Sequence, residues 1–238
     1  MSLQRDRGLH VLVVAKEPVP GLVKTRLCPP LDPGQAAILA KAALADTLEA
    51  VAACGAQRRV LALDGEPGEW LPPGFTIVPQ RGGGLAERLI NAWAGAGGGG
   101  IQIGMDTPQV SAALLDHCLG ELDAPGVGAA LGAAMDGGWW AIGLHRSDPA
   151  VFAGVPMSTD RTHSAQRRRL GQLGHQVAEL PVLRDVDRIA DAWAVAEEVP
   201  GARFGRALGA LAGRDAKRVG GVPRARQRGE GGWPSQLE

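Results

Sequence analysis

The sequence has little of what disulfide-bonded, membrane-spanning or nucleic-acid-binding proteins use. Its three cysteines, Cys28, Cys54 and Cys118, lie far apart, which fits neither a disulfide framework nor a zinc site. The formal net charge is +0 at pH 7, so charge gives no reason to expect nucleic acid as a partner. No apolar stretch is long enough to span a bilayer, and the first residues lack a signal-peptide core. We therefore expect a cytoplasmic protein without a membrane or nucleic-acid partner.

Lysine is scarce as well, and its distribution is informative. Two of the four lysines, Lys16 and Lys24, fall within residues 15–27, where Arg26 adds a third cation. This segment, the cationic loop, follows an apolar run at 9–14 that is typical of a buried parallel strand. Such a strand, ending in a glycine-containing loop with several cations, is a common way to hold phosphate, because backbone N–H groups and positive side chains both face the anion. The loop therefore predicts a nucleotide or polyphosphate ligand.

The cationic loop matches neither of two common nucleotide-binding patterns. Gly21 is followed by Leu-Val-Lys-Thr, which lacks the spacing of a Walker A loop, and the dinucleotide fingerprint is absent. The alternative is that its cations are solvated surface charges. We favour a ligand site, because ligands of open α/β sheets bind at the carboxyl edge, where this strand ends.

Apolar patterning predicts strands and helices that alternate along most of the chain. The expected strands are 9–15, 59–63, 75–78, 101–105, 127–131, 139–144 and 176–180. The expected helices are 33–53, 84–94, 110–122, 161–173, 189–199 and 203–211, the first of them capped by Asp32 with Pro33 and Gln35. Alternation argues for βαβ units, and the tight turn before 139–144 for an antiparallel insertion. We predict an α/β three-layer sandwich with a mostly parallel, mixed central sheet.

One domain is expected at 1–212, followed by a tail at 213–238. The tail is glycine-rich and poor in large apolar groups, and residues 214–238 carry six Arg/Lys against three Asp/Glu. Such a composition favours disorder. The excess of positive charge is a weak signal for an acidic partner, and a solvated tail is the default interpretation.

Aspartates occur where predicted strands end at the same edge of the sheet. Asp106 closes strand 101–105, and Asp185 and Asp187 follow strand 176–180. Mg²⁺ binds one or two carboxylates together with substrate phosphates, so these aspartates are candidate metal ligands. Two alternatives stay open, because Asp106 before Thr-Pro also suits a turn, and Asp185 or Asp187 also suits a helix cap.

The segment 136–140 reads Asp-Gly-Gly-Trp-Trp. Asp-Gly is first of all a turn signal. Two glycines, Gly137 and Gly138, also let a backbone approach a ligand closely. Trp139 or Trp140 would then stack on a base or line an acceptor pocket, with core packing as the alternative for each.

Residues 80–88 link a strand to a helix and offer Gln80, backbone N–H groups and arginines, Arg88 among them. These groups are suited to reading a base or a ribose. The alternative is a flexible loop with Glu87 and Arg88 on a solvated helix face. The five histidines show no paired spacing, and we expect no hydrolase triad.

In this order, these motifs resemble the nucleotide-diphospho-sugar transferase (GT-A) superfamily over roughly residues 9–212. The chain looks like a bacterial glycosyltransferase A-like family, also called radical-SAM/selenodomain-associated transferase 1, which is similar to the guanylyltransferase of the deazaflavin cofactor pathway. The opening pattern of that family, Ala-Lys-x-Pro-x-Pro-Gly-x-Val-Lys-Thr-Arg-Leu, matches residues 15–27 at every defined position. The later matches are Gln80 with Leu85 and Arg88, Gly104 to Pro108, Asp136-Gly137-Gly138, and Asp185-x-Asp187 with Asp191.

The resemblance implies a Rossmann-like GT-A fold and a role for each matched residue. The implied nucleotide- and phosphate-binding residues are Lys16, Gly21, Lys24, Thr25, Arg26, Gln80, Leu85 and Arg88. The implied ligands of Mg²⁺ or Mn²⁺ are Asp106 and one of Asp185 or Asp187. The acceptor would contact Asp136, Gly137, Gly138 and Trp139. The implied catalytic residues are Lys24, Asp106 and Asp136.

One departure from the family pattern concerns the acceptor side. Residues 132–140 read Gly-Ala-Ala-Met-Asp-Gly-Gly-Trp-Trp, where the family usually has Gly-Pro-Ala-Glu-Asp-Gly-Gly-Tyr/Phe-Trp. Met135 therefore replaces an acidic residue next to Asp136. The change bears on which substrate is used and on whether the domain is active.

The resemblance implies an Mg²⁺-dependent transferase with a nucleotide donor and a small-molecule acceptor. We expect nucleotidyl transfer from a nucleoside triphosphate with release of pyrophosphate, because two cations before the first helix favour a triphosphate. One alternative is glycosyl transfer from a nucleoside diphosphate sugar. Another is an inactive nucleotide-binding domain that regulates or scaffolds a partner, as Met135 suggests. The oligomeric state stays open, a homodimer included.

Overall fold

Seven strands form one mixed sheet. The structure is a computed structural model and describes residues 8–219. Its strands are β1 (His10–Lys16), β2 (Arg58–Asp64), β3 (Thr76–Pro79), β4 (Gly100–Ile103), β5 (Ala129–Ala134), β6 (Trp139–Leu144) and β7 (Val177–Leu183). Their order is β3-β2-β1-β4-β6-β5-β7. β6 runs antiparallel to β4 and β5, and the other neighbouring pairs are parallel. The predicted α/β fold with a mostly parallel, mixed sheet is confirmed.

Helices cover both faces of this sheet. They are α1 (Pro33–Ala53), α2 (Leu85–Ala96), α3 (Ala112–Asp123), α4 (Thr162–Gln172), α5 (Ile189–Glu198) and α6 (Arg203–Val219). Successive side chains of a strand point to opposite faces. Val11 and Val13 of β1 accordingly pack in the core formed with α1 and α3, and Leu12 packs in the core formed with α2 and α4. A third apolar cluster joins α5 and α6 to α1.

Helix caps encoded by the sequence fix two of these helices. The Asp32 carboxylate accepts a hydrogen bond from the backbone N–H of Gln35, and the Gln35 amide oxygen accepts one from the N–H of Asp32. This capping box satisfies N–H groups that the first turn leaves free, and it confirms the predicted start of α1. Asp46 of α1 caps α6, because it accepts from the N–H groups of Arg203 and Phe204 at 3.1 and 2.8 Å.

The last helix extends further along the chain than its predicted end at residue 211. α6 runs to Val219, past residue 212 and into the predicted tail at 213–238. The rest of that tail, 220–238, lies outside the described residues. Within residues 8–219, no helix is long and apolar enough to cross a membrane.

The packing of α6 can be tested with Phe204→Ala. Phe204 is 1 % exposed and belongs to the cluster with α1. The cavity left by the substitution should cost about 3–5 kcal/mol of unfolding free energy. Ile38 of α1 is 51 % exposed, so Ile38→Ala serves as the control and should cost about 0.5 kcal/mol or less. Urea unfolding followed by circular dichroism measures both, and an equally small loss at the two positions would contradict the packing of α6.

Candidate functional site

A cavity of about 760 Å³ opens at the edge where the parallel strands of the sheet end. Open α/β sheets bind ligands at this edge. The predicted site residues that line the cavity are Lys16, Lys24, Thr25, Arg26, Gln80, Leu85, Arg88, Asp106, Asp136, Gly138, Trp139, Asp185 and Asp187. Gly21 and Gly137 were also predicted as site residues and are not part of its lining.

Lys24 joins the two acidic segments of the cavity. Its Nζ forms an ion pair with Asp106 Oδ1 and lies 3.9 Å from Asp187 Oδ1. The same ammonium donates to the backbone carbonyl of Val186, and its side chain is only 9 % exposed. A backbone hydrogen bond from the N–H of Val186 to the carbonyl of Asp106, at 2.9 Å, ties the two segments together as well. The ammonium therefore neutralises carboxylates that repel each other.

The position of Lys24 follows from the residues around it. Val23 and Leu27 are both buried, and they anchor the cationic loop on either side of the lysine. Lys24 itself has φ 50°, in the left-handed region that costs a non-glycine residue about 1–3 kcal/mol. Such strain persists only where the surroundings fix the backbone, and here the buried neighbours and the ion pair do so.

Asp185 is a largely buried carboxylate with an oxygen that accepts no hydrogen bond. Burial, followed by the charges of Asp106 and Asp136, raises the pKa of Asp185 to about 7, and Lys24 opposes this only in part. Oδ1 of Asp185 is buried without a partner. A buried carboxylate oxygen without a partner costs folding free energy unless it binds a cation or a proton.

These carboxylates fit a divalent cation. Mg²⁺ takes oxygen ligands and commonly combines one or two carboxylates with phosphate oxygens. Asp106 and Asp185 face the same cavity, and the unpartnered oxygen of Asp185 is the group that an ion would satisfy. In the part of the chain that the structure describes, no three His, Cys, Asp or Glu side chains are grouped as a metal cluster.

The other cations of the cavity differ in how far their charge is already paired. Arg26 Nη1 lies 2.7 Å from Asp187 Oδ2, and Arg88 Nη1 lies 2.7 Å from Asp64 Oδ2. Lys16 is exposed at the end of β1. Since Lys24 is also paired, with Asp106, Lys16 is the cation of this wall most directly available to a phosphate.

Gln80 is held by the sheet rather than by the loop that follows it. Its Nε2 donates to the carbonyls of Ala15 and Ala62 at 2.7 and 3.0 Å. These bonds attach the side chain to the ends of β1 and β2. The orientation of the amide, which was predicted to face a base or a ribose, is therefore fixed by the backbone.

The β5–β6 turn and the loop at 156–162 form the wall opposite the cationic loop. Gly137 has φ +89°, and a Cβ there would lie 2.1 Å from the carbonyl oxygen of Asp160, so only glycine fits. The N–H of His163 donates to the carbonyl of Gly137 at 2.9 Å. The turn and the loop are thus packed backbone against backbone.

Two predicted features of the β5–β6 turn have separate roles. Asp136 Oδ1 accepts from the N–H of Gly138 at 2.8 Å, which is the turn that Asp-Gly predicts. Trp140 is 2 % exposed, and its Nε1–H donates to the carbonyl of Pro181, so it packs in the core. Trp139 is half-buried and lines the cavity. Trp140 also contributes to the lining, but Trp139 is the more exposed of the two tryptophans and therefore offers more surface to a ligand.

Part of the cavity wall carries no sequence motif. The lining residues contributed by the 156–162 loop are Met157, Ser158, Thr159, Asp160 and Thr162. Their pattern is that of an ordinary polar segment before a helix, and the approach to Gly137 that positions them is a long-range contact. The hydroxyl of Thr162 holds the loop by donating to the carbonyl of Pro156 at 2.8 Å.

Met135, the departure from the family pattern, lies outside the cavity. Its side chain is 58 % exposed and is not part of the lining. Its backbone N–H donates to the carbonyl of Leu183 at 3.0 Å, which joins the turn to β7. The replacement of the usual acidic residue by Met135 therefore removes no carboxylate from the wall of the cavity.

A protein family matches the part of the chain that builds most of this edge. Residues 38–159, just over half of the chain, match the family described as "Uncharacterized protein conserved in bacteria (DUF2064)". The chain belongs to this family. No curated protein is significantly similar to this DUF2064 chain.

Solved structures resemble the DUF2064 chain over most of its length. A Desulfovibrio desulfuricans G20 protein, to which nucleotide-diphospho-sugar transfer has been ascribed, is 26 % identical with a TM-score of 0.75, over 87 % of this chain and 95 % of that one. A cytidylyltransferase of Leptospira borgpetersenii is 12 % identical with a TM-score of 0.50, over 88 % and 95 %. A Mycobacterium tuberculosis H37Rv protein in complex with manganese is 20 % identical with a TM-score of 0.45, over 80 % and 99 %. The first match supports the superfamily that the motifs indicated.

Asp185→Asn should stabilise the metal-free protein at neutral pH. The pKa of Asp185 is raised from 3.8 to about 7. Between these values the folded state keeps a proton that the unfolded state has released, so stability falls as pH rises through this range. The asparagine variant has no such proton. The gain in stability of Asp185→Asn over the unmodified protein should therefore be absent near pH 3.8 and complete above about pH 7.

Thermal unfolding in EDTA, measured in steps across this pH range, tests the prediction. Asp123→Asn, at an exposed position near the end of α3, is the matched control and should show no pH-dependent difference from the unmodified protein. A difference between Asp185→Asn and the unmodified protein that does not change with pH would contradict a raised pKa.

Proposed function

We propose that this protein is a divalent-metal-dependent transferase with a nucleotide donor, and that it transfers a nucleotidyl group from a nucleoside triphosphate to a small acceptor. The observation that carries the proposal is the buried ammonium of Lys24 between Asp106 and Asp187 at the sheet edge. It brings a phosphate-binding cation and metal-binding carboxylates into one preformed group. The similarity to the Desulfovibrio protein supports the use of a nucleotide.

In this proposal the cationic loop binds the phosphates of the donor. Lys16, Lys24 and Arg26 neutralise charge that builds up on the bridging and leaving oxygens as the α-phosphorus is attacked. Thr25 adds backbone and hydroxyl groups, and the turn at Gly21, with φ +80°, shapes the loop without lining the cavity. Preorganised charge of this kind lowers a barrier by roughly 3–4 kcal/mol per well-placed donor.

Asp106 and Asp185 would hold Mg²⁺ or Mn²⁺. Asp187 is a further candidate ligand, and its carboxylate forms an ion pair with Arg26. When bound, such an ion supplies positive charge to the phosphates and polarises the reacting bond. Asp106 would then be shared between the ion and Lys24, and the ammonium would be available to a phosphate.

The two remaining walls would hold the nucleoside and the acceptor. Gln80, directly after β3, and Leu85 and Arg88, in the first turn of α2, would contact the nucleoside. On the other wall, Asp136 uses one oxygen for the turn and keeps the second for the acceptor. Gly137 and Gly138 have no side chains, so the backbone of that wall takes up little space beside the acceptor. Trp139 offers its ring as a surface for the acceptor.

Glycosyl transfer from a nucleoside diphosphate sugar is the second candidate function. It is favoured by the activity ascribed to the Desulfovibrio protein, which is the more similar of the two transferases named above. Nucleotidyl transfer is favoured by the motif resemblance to the guanylyltransferase of the deazaflavin pathway. The position of Met135 outside the cavity supports an active enzyme over a domain that only binds a nucleotide. A cytoplasmic location remains a prediction from the sequence, and the oligomeric state stays open.

Lys24→Met should weaken nucleotide binding at least about tenfold, because a hydrogen bond to a charged group contributes roughly 1.5–3 kcal/mol. Isothermal titration calorimetry with nucleoside triphosphates and Mg²⁺ measures the dissociation constants. Lys41→Met, which removes an exposed lysine from α1 outside the cavity, is the matched control and should leave them unchanged. Equal affinities in the two variants would argue against phosphate binding by the cationic loop.

The reaction can be identified by incubating the protein with Mg²⁺ and each donor class. Nucleoside triphosphates should give pyrophosphate in the presence of acceptor, and Asp106→Asn should abolish turnover and its metal dependence while the fold is retained. Circular dichroism of the variant checks the fold. Release of a nucleoside diphosphate from a nucleotide sugar, without pyrophosphate from any triphosphate, would reverse the order of the two candidate functions. Full activity of Asp106→Asn would remove this residue as a ligand.

A further inference from the structure

Charge is unevenly distributed over the walls of the cavity. All cations in its lining belong to the cationic loop or to α2, namely Lys16, Lys24, Arg26 and Arg88. The opposite wall, formed by the β5–β6 turn and the 156–162 loop, contributes the carboxylates of Asp136 and Asp160. Within the described residues, that wall contributes no lysine or arginine to the lining.

Two positive groups lie near the acidic wall. Arg161 follows Asp160 in sequence and pairs with it, its Nε lying 4.0 Å from the Asp160 carboxylate, but Arg161 lines a separate cavity. The N-terminus of α4 also approaches this wall. Its first two N–H groups, those of Thr162 and His163, donate to backbone carbonyls. These two N–H groups of the first turn are therefore not available to an anion.

Donor binding makes the acidic wall a still poorer place for an anion. The lining holds four cations and five carboxylates, so positive charge is not in excess in the cavity. A nucleoside triphosphate with one divalent cation adds about two further negative charges. The cations of the cationic loop are then occupied by the donor. A phosphate on the acceptor would then face the Asp136 carboxylate and the Asp160 carboxylate, which already pairs with Arg161, and like charges at close range repel.

We propose that the acceptor carries no phosphate or carboxylate group and presents a hydroxyl or an amine to the donor. This inference rests on the proposed function. Asp136 and Asp160 accept hydrogen bonds from the O–H or N–H groups of such a molecule, and Ser158 adds a hydroxyl. Trp139 supplies the flat apolar surface on which a sugar ring or a carbon chain packs. Neutral polyols, sugars and amines meet this chemistry.

The bonds that change in the reaction are the same for each of these acceptors. The acceptor oxygen or nitrogen bonds to the α-phosphorus, while the bond from that phosphorus to the pyrophosphate oxygen breaks. The acceptor proton passes to the Asp136 carboxylate, and pyrophosphate leaves with the electron pair of the broken bond. In glycosyl transfer the same acceptor atom bonds to the anomeric carbon, and the nucleoside diphosphate leaves instead.

The test uses small-molecule extract from a bacterium that carries this chain, separated on an anion-exchange resin at pH 8. Phosphorylated and carboxylated compounds are retained, whereas neutral and cationic compounds flow through. Each fraction is added to the full chain with Mg²⁺ and the donor that it binds by calorimetry. Release of pyrophosphate and of nucleoside diphosphate is followed in both.

We expect turnover with the flow-through fraction to exceed that with the retained fraction at least about tenfold, a difference of 1.4 kcal/mol. Equal or greater turnover with the retained fraction would overturn the inference while leaving the transferase proposal intact. No turnover with either fraction, despite donor binding, would instead overturn the transferase proposal and this inference with it.

A pair of charge-reversal variants tests the electrostatic cause. Asp160→Lys places a cation on the acidic wall and should lower the ratio of turnover between flow-through and retained fractions several-fold. Asp123→Lys makes the same change outside the cavity and should leave the ratio as it is. Equal ratios in the two variants would count against repulsion by the acidic wall as the reason for the preference.

Discussion

The contact between one lysine and two acidic segments organises this sheet edge. Lys24 comes from the loop after β1, whereas Asp106 and Asp187 follow β4 and β7, so the ammonium joins parts of the chain that are remote in sequence. Carboxylates that share one site repel one another unless a cation lies between them. Burial, followed by the charges of Asp106 and Asp136, raises the pKa of Asp185, and a single ammonium offsets only part of this. One oxygen of Asp185 also stays without a hydrogen-bond partner. The edge is therefore built with more negative than positive charge, an imbalance that a bound cation relieves.

The same arrangement gives the cavity two chemically different walls. One wall comes from segments that follow β1 and β3, and it holds the lysines and arginines. The other comes from the β5–β6 turn and the 156–162 loop, and it holds carboxylates, hydroxyls and one half-buried tryptophan. The antiparallel strand β6 makes this possible, because its turn with β5 returns the chain to the edge where the parallel strands end. A fold with only parallel strands would place a helix connection at that point.

Local patterns made much of this predictable from the sequence. The periodicity of apolar residues and the capping box at Asp32 act over a few residues, and the elements that they define are present. Lys24, Asp106 and Asp185 were predicted to lie at one edge because strand ends converge there, and they line one cavity, while their functional roles stay predictions. The 156–162 loop was not found, because its place depends on a contact with Gly137 that no short pattern encodes. Packing decided what the sequence left open for Trp140, which lies in the core. The order of the strands likewise depends on pairings between distant segments.

The backbone contact between Gly137 and Asp160 has an evolutionary consequence. No side chain fits between the two segments, so the turn is constrained to glycine at this position. The 156–162 loop, in contrast, meets the turn through main-chain atoms that any residue provides, and three of its lining side chains, at 158, 159 and 160, are exposed. Exchanging these side chains would remodel one half of the pocket while the half that contains Lys24, Asp106 and Asp185 stays intact. Relatives with this scaffold can therefore diverge at one wall of the pocket without changing the other.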